Sequence, residues 1–182
     1  MFLAGLNPKH IGRTDKLGNP FEIGIGRVED FQTLLEMYRT FSPRPASQGL
    51  PPENPEICKN WVKKLYERSG NTLARRDGRI IGHVSLIPDG RSKSGELVIF
   101  VHQDDRNRGV GTELMRFSLE EFTRLGFELI WLTVRVSNFI PIKLYRKLGF
   151  EFCDMDSYER VMAIKLTPLS GPAGPNEPLP AK

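Results

Sequence analysis

The sequence is short of cysteine, of long apolar runs and of excess charge. Cys58 and Cys153 are the two cysteines among 182 residues. They form no Cys-x-x-Cys pair and no Cys/His cluster with metal-ligand spacing, so neither a zinc site nor a disulfide framework is expected, and no other metal centre is read from the sequence. Free thiols suit a reducing compartment, which points to the cytoplasm. The apolar run Met1–Leu6 is interrupted by Asn7-Pro8-Lys9 and has no basic segment before it, so it is too short for a signal-peptide core. No stretch approaches the roughly 18 apolar residues of a membrane span, and no membrane partner is expected. The 26 Lys+Arg and 22 Asp+Glu leave a net charge of +4. These basic residues are scattered, without an interleaved aromatic stripe, which speaks against a nucleic-acid partner and suits a small anion equally well.

What remains is an ordinary globular composition, with 39% hydrophobic and 26% charged residues, long enough for one domain with a continuous core. Fourteen prolines are unevenly placed: five between Ser42 and Pro55, five after Thr167. The second group has no apolar period, and 168–182 reads as a disordered Pro/Gly-rich tail. The first lies between two helical patterns as an internal loop, 42–55, of the kind that often carries function. Residues 1–19 lack a period and stand as an unassigned N-terminal extension. The folded unit is 20–167.

Within that unit, strands and helices alternate. Phe21–Val28 reads as a strand and Glu29–Phe41 as a helix. Ile57, Trp61 and Leu65 recur every fourth residue, with Val62 beside them, and mark a second, amphipathic helix. Asn71–Arg76 and Arg79–Ile87 are strands joined by an Asp77-Gly78 hairpin turn. Glu96–His102 is a strand, Gly109–Leu125 a helix. Phe127–Val136 is nearly continuous in apolar residues, as in a strand buried on both faces. Asn138–Leu148 is a helix closed by Gly149, and Phe150–Asp154 and Glu159–Leu166 are strands. The order β-α-α-β-β-β-α-β-α-β-β predicts an α/β fold around a mixed sheet.

The stretch Arg106-Asn107-Arg108-Gly109-Val110-Gly111-Thr112 turns a strand into a helix. Glycines there let a ligand approach the backbone, and a helix N-terminus favours an anion such as phosphate. A nucleotide P-loop would continue with Lys-Ser/Thr, whereas Thr112-Glu113 follow. A dinucleotide fingerprint would need a third glycine. Neither fits, and a plain tight turn is the competing reading.

A second motif follows: Asn138, Tyr145, Gly149 and Phe150 in order along one helix and its exit. Together the two motifs resemble the GCN5-related N-acetyltransferase (GNAT) superfamily. Its first signature is Arg/Gln-x-x-Gly-x-Gly/Ala; its second is an Asn several residues before Tyr-x-x-x-Gly-Phe. The likeness follows element order over roughly 20–167, and the motifs are sharpest over about 95–152. The resemblance implies a mixed, mostly antiparallel twisted sheet with helices on both faces and splayed central parallel strands. It implies acetyl-CoA as co-substrate, and transfer of its acetyl group to a primary amine of a protein or small molecule by direct attack in a ternary complex.

By the same resemblance, the pyrophosphate would lie on the N–H groups of Arg108, Gly109, Val110, Gly111 and Thr112, with Arg106 at its edge. The pantetheine arm would follow the strand near Phe100, Val101 and His102, and Asn138 would contact it. Asn138 is equally a residue type that caps a helix. Tyr145 matches the acid that serves the departing thiol, with a core tyrosine as its rival role. Glu96 is the candidate base, with a solvated strand-end glutamate as its rival. His83, on a strand with Ser85 on its face, is a second candidate base, although a lone strand histidine is more often structural. Neither His102 nor His10 has a partner in sequence, and Cys153 reads as a packing residue. Leu34–Pro43 resembles the start of the acetyltransferase domains of bacterial protein-lysine acetylating enzymes, which inclines the acceptor toward protein lysine. A non-catalytic acyl-CoA sensor of the same fold stays as the alternative, and exposed sheet edges leave a homodimer open.

Overall fold

The computed structural model describes residues 10–42, 51–90, 93–153 and 159–167. The expected tail, most of the Pro-rich loop and the first nine residues lie outside that set.

Eight strands form one sheet: β1 Ile11–Thr14, β2 Pro20–Ile25, β3 Gly70–Arg76, β4 Arg79–Pro88, β5 Ser94–Val101, β6 Leu129–Arg135, β7 Glu151–Phe152 and β8 Glu159–Lys165. Among the described residues four α-helices accompany them: α1 Phe31–Arg39, α2 Pro55–Arg68, α3 Val110–Arg124 and α4 Phe139–Lys147. The strand order is β1-β2-β3-β4-β5-β6-β8-β7. Every neighbouring pair is antiparallel except β5–β6, which is parallel because α3 crosses between them. The mixed, mostly antiparallel sheet read from the sequence is thus present, with one strand more: β1 arises in the segment that showed no period. It is four residues long and mostly exposed, so it buries too little to leave an alternation in the sequence.

The helices cover opposite faces. On one, Leu34, Leu35, Tyr38 and Phe41 around α1 pack with Cys58 and Val62 of α2, Leu73, Ile80 and Phe100. Tyr38, Trp61 and Phe100 meet edge-on with ring centroids 5.3–5.7 Å apart, and each such pair contributes about 0.5–1.5 kcal/mol beyond its burial. On the other face, Val110, Leu114, Met115 and Phe122 of α3 and Tyr145 of α4 pack on Ala74, Val84, Leu97, Ile130 and Met162. Gly82 belongs to this contact: a Cβ there would lie 3.1 Å from a methyl of Leu114, so its absence lets α3 sit close to β4.

Two expectations shift. The buried stripe of α2 runs through Cys58 and Val62, while Ile57 is 58% exposed, because the stripe sits one position round from the four-residue repeat. β6 is not buried on both faces. Its pattern alternates, with Thr133 exposed, since the α1–α2 cluster reaches β3, β4 and β5 but includes no β6 residue.

Candidate active site

The pairing of β5 with β6 ends early. Three rungs join them, Ser94 to Leu129, Gly95 to Ile130 and Glu96 to Trp131. β5 then continues to Val101 paired only with β4, and β6 continues to Arg135 paired only with β8. The backbone edge of β5 from Val98 onward therefore has no strand partner among the described residues. Such groups need a hydrogen-bonding partner when water is excluded, and an extended, amide-bearing ligand arm can supply one.

Glu96 stands on the last rung. Side chains alternate along a strand, so Glu96 shares a face with Val98 and Phe100, the α1–α2 side. It is half-buried, and burial, with the nearby Asp89 carboxylate second, raises its pKa above the ordinary carboxylate range. Asp89 is itself held ionised by hydrogen bonds from Trp131 Nε1 (3.0 Å) and Ser94 Oγ (2.7 Å).

Tyr145 lies on the opposite face, 8% exposed, with its ring 5.9 Å from that of Phe150. Burial pushes its hydroxyl up to about 12. Glu96, at the last β5–β6 rung, and Tyr145 thus lie on opposite faces of the sheet.

At the C-terminal end of β5 the chain bends into the glycine turn. Asn107 and Gly109 have φ of 62° and 93°; the second value is the reason for glycine there. α3 starts immediately after Gly109. Thr112 and Glu113 N–H bond back to the Gly109 carbonyl, at 3.0 and 3.2 Å, whereas the N–H groups of Arg108, Gly109, Val110 and Gly111 have no acceptor among the described residues. Four successive free donors at a helix N-terminus form a cradle for phosphate oxygens. A Cβ on Gly111 would point at Val101 and Ile99 of β5 and Leu144 of α4, at 3.4, 3.9 and 3.7 Å. The turn, the free end of β5 and α4 therefore meet at one place.

Other expected contacts look different. The Arg106 guanidinium turns inward: Nε donates to the Val101 carbonyl at 2.9 Å, and the group lies 4.8 Å over the Phe41 ring. The His102 N–H is taken by the Ile81 carbonyl. Gln103, unremarked in sequence, ties the end of α1 to the turn, donating to Thr40 O at 2.8 Å and accepting from Ser42 N at 2.9 Å. Asn138 holds the N-cap position of α4, yet its exposed side chain makes no capping bond, so it is available to a ligand. Cys153 is exposed rather than packed, although its N–H still donates to the Val161 carbonyl of β8 at 2.9 Å.

His83 is fully buried. Its Nε2 lies 2.8 Å from Asn71 Oδ1, and Asn71 spends its amide hydrogens on the carbonyls of Tyr66 and Ser69. Nε2 therefore carries the proton, and Nδ1 accepts from the Tyr38 hydroxyl at 2.7 Å. Burial lowers its pKa to about 3. It is a neutral core residue locked on both nitrogens.

The model of the acetyltransferase (GNAT) family matches residues 31–150. The chain belongs to the GNAT family. Similar proteins include the L-amino acid N-acetyltransferase of Escherichia coli K12, 35% identical over 97 residues, which are 50% of this chain and 60% of that protein. The N-alpha-acetyltransferase of Sulfurisphaera tokodaii is 27% identical over 75% of this chain and 83% of its own. Among solved structures, the GNAT domain of S. lividans PAT superposes with a TM-score of 0.70 at 15% identity, covering 86% of this chain and 97% of that one. The yncA protein of Salmonella typhimurium, solved with its cofactor acetyl-CoA, superposes with a TM-score of 0.64 at 18% identity, over 84% and 97% of the two chains. Acetyl-CoA is the acetyl donor of the GNAT family, and the cradle of free N–H groups and the unpaired edge of β5 fit its pyrophosphate and its pantetheine amides. No helix among the described residues is long and apolar enough to cross a membrane.

Two expectations come from this geometry. Gly111→Ala fits at ordinary contact distance and leaves CoA affinity close to wild type. Gly111→Glu drives a charged chain toward the free end of β5 and weakens CoA binding by about tenfold or more in calorimetric titration. For His83, the folded pKa lies below the unfolded one, so the unfolded chain binds the extra proton. Stability is then complete above about pH 6.5 and falls as pH drops toward 3, by about 1.4 kcal/mol per pH unit once well below 6.5. Urea unfolding of wild type and His83→Gln between pH 7.5 and 5 reads this component, which the variant lacks.

Proposed function

We propose that the chain is an acetyl-CoA-dependent N-acetyltransferase that acetylates a primary amine by direct attack, with Glu96 and Tyr145 handling the protons. The observation that carries this reading is the parting of β5 and β6 one rung past Glu96, with Glu96 on one face and Tyr145 on the other. The free N–H groups of Arg108, Gly109, Val110 and Gly111 would receive the pyrophosphate, that of Thr112 being taken by the Gly109 carbonyl; Phe100 to His102 and Asn138 would border the pantetheine arm, and Arg106 would brace the turn from behind. Acetyl-CoA supplies a thioester, an acyl group already activated for transfer.

The amine approaches from the α1–α2 face. A lysine-type amine has a pKa of ~10.4 and is mostly protonated at neutral pH. Glu96, directly or through a water, takes the proton that the ammonium must lose before its lone pair can attack, and a second proton leaves the nitrogen for water once the N–C bond has formed. Its raised pKa makes it a better base than an ordinary glutamate. The C–S bond breaks toward the α4 face, where the Tyr145 hydroxyl, fully protonated at neutral pH, donates to the departing sulfur. A free thiol has a pKa of ~8.5, well below that of Tyr145. The hydroxyl therefore helps while charge builds on sulfur, and the tyrosine keeps or quickly regains its proton.

The names of the relatives support an amine carried by an amino acid or a protein: L-amino acid, N-alpha and, for a ribosomal-protein acetyltransferase of Escherichia coli 38% identical over 52 residues, alanine. That last match spans 35% of the relative's length.

Thiol release from acetyl-CoA with a panel of amino acids, peptides with free N-termini and lysine peptides tests the reading. Binding without release from any of them would make the chain an acyl-CoA sensor instead. Tyr145→Phe keeps the ring and loses the hydroxyl. Its single-turnover rate should fall by ~10²–10⁴-fold at nearly unchanged CoA affinity, and an unchanged rate would return Tyr145 to the core. For Glu96, the ionised form is the active one, so the rate rises with pH through a pKa higher than that of an ordinary glutamate. Glu96→Gln should lower the rate and abolish this acid limb; a limb that persists removes Glu96 from the reaction.

A further inference from the structure

The β1–β2 hairpin precedes the residues that the family model matches, yet its turn is fastened to the glycine turn. Arg76, at the end of β3, makes the fastening. Its side chain is 10% exposed; Nη2 lies 2.7 Å from Asp15 Oδ2, Nη1 bonds Asp105 Oδ1, and Nε donates to the Pro20 carbonyl at 3.2 Å. Asp15, in the hairpin turn, has a fully buried side chain whose other oxygen accepts the N–H groups of Leu17 and Asn19, at 2.8 and 3.0 Å. Asp105 immediately precedes Arg106. A buried cation between two buried carboxylates cannot release either cheaply, so the hairpin turn and the segment leading into the phosphate cradle are held as one body.

That body sets a peptide plane. The Lys16 N–H donates to the Arg108 carbonyl at 2.9 Å. In a trans peptide the carbonyl and the following N–H point in opposite directions. Holding the Arg108 carbonyl toward Lys16 therefore aims the Gly109 N–H away from the hairpin, and it is one of the four donors left free. The Lys16 side chain also runs along the turn, its Cγ and Cε 3.6 and 3.8 Å from where a Gly109 Cβ would be. This matters because Arg106, the cation expected there, is spent on Val101 and Phe41. Glu113, the acidic residue in the first turn of α3, is held by Arg13 of β1 at 3.1 Å and Arg116 at 2.7 Å, which offsets a charge that would repel phosphate.

We propose that the β1–β2 hairpin is part of the cofactor site: Arg76, as a positioning residue, holds it so that the Gly109 N–H faces the phosphates of acetyl-CoA, and Lys16 adds its ammonium to them. The proposal rests on the acetyl-CoA reading of the glycine turn. It is tested by binding, without an acceptor, using CoA and pantetheine, which lacks the phosphates, as the two probes. Lys16→Ala removes an exposed charge and should weaken CoA binding about two- to fivefold while leaving pantetheine unchanged. Arg76→Gln should weaken CoA binding about tenfold or more, the scale of a misaimed bond to a charged group, with pantetheine again unaffected. Should Arg76→Gln lose its cooperative melt, Asp15→Asn keeps the acceptor for Leu17 and Asn19, drops one charge of the triad and carries the same expectation. Unchanged CoA affinity in Lys16→Ala removes the ammonium from the site. Unchanged affinity in the folded triad variants, or equal losses for both probes, removes the hairpin. A wild-type protein that binds neither probe would overturn the cofactor reading itself, whereas normal wild-type binding with unaltered variants overturns this inference alone.

Discussion

Three backbone rungs join β5 to β6, and the site depends on there being no fourth. On its other edge β5 is paired with β4 from Gly95 to Val101, and β6 is paired with β8 along its whole length. Each strand therefore belongs to a stiff half-sheet, and the halves touch only from Ser94 to Glu96. The paired end is crowded: a Cβ on Gly95 would lie 2.9 Å from the Ile87 carbonyl. The far end is open, with a strand edge that lacks its ladder. An edge left unpaired inside a fold is normally a liability. Here it offers an extended arm the bonds that a ninth strand would have made.

The same sheet holds Glu96 and Tyr145, the residues proposed to move protons, on opposite faces. With the sheet between them, Glu96 is raised by burial and by Asp89, and Tyr145 by burial alone. The buried polar chain from Tyr38 through His83 and Asn71 to Ser85 lies on the Glu96 face but is satisfied internally. It fixes the packing of α1 and α2 on β3 and β4 without offering a titratable group at neutral pH.

Much of this was legible in the chain. The strand read at β2, the Asp77-Gly78 turn and the glycines at 109 and 149 mark elements whose local chemistry and burial agree. The motifs from Arg106 to Thr112 and from Asn138 to Phe150 carried the family resemblance because turn, helix start and helix exit each demand particular residue types. What stayed hidden has a common cause. β1 is short and exposed, so it leaves no alternation. Asp15, Arg76 and Asp105 are separated by 61 and 29 residues along their contacts, and no local pattern distinguishes a buried ion triad from three solvated charges.

The sequence by itself determined the succession of elements from β2 onward, the glycine turn at Gly109 and the placing of Asn138, Tyr145 and Glu96 on their helix and strand, because these follow from neighbours within a few residues. Tertiary structure alone decided where β5 and β6 part, that Arg106 faces inward while Lys16 lies along the turn, and that His83 is a silent core residue rather than a base. Those outcomes are set by burial and by partners far apart in the chain, and a side chain's charge state and reach exist only once those partners have closed around it.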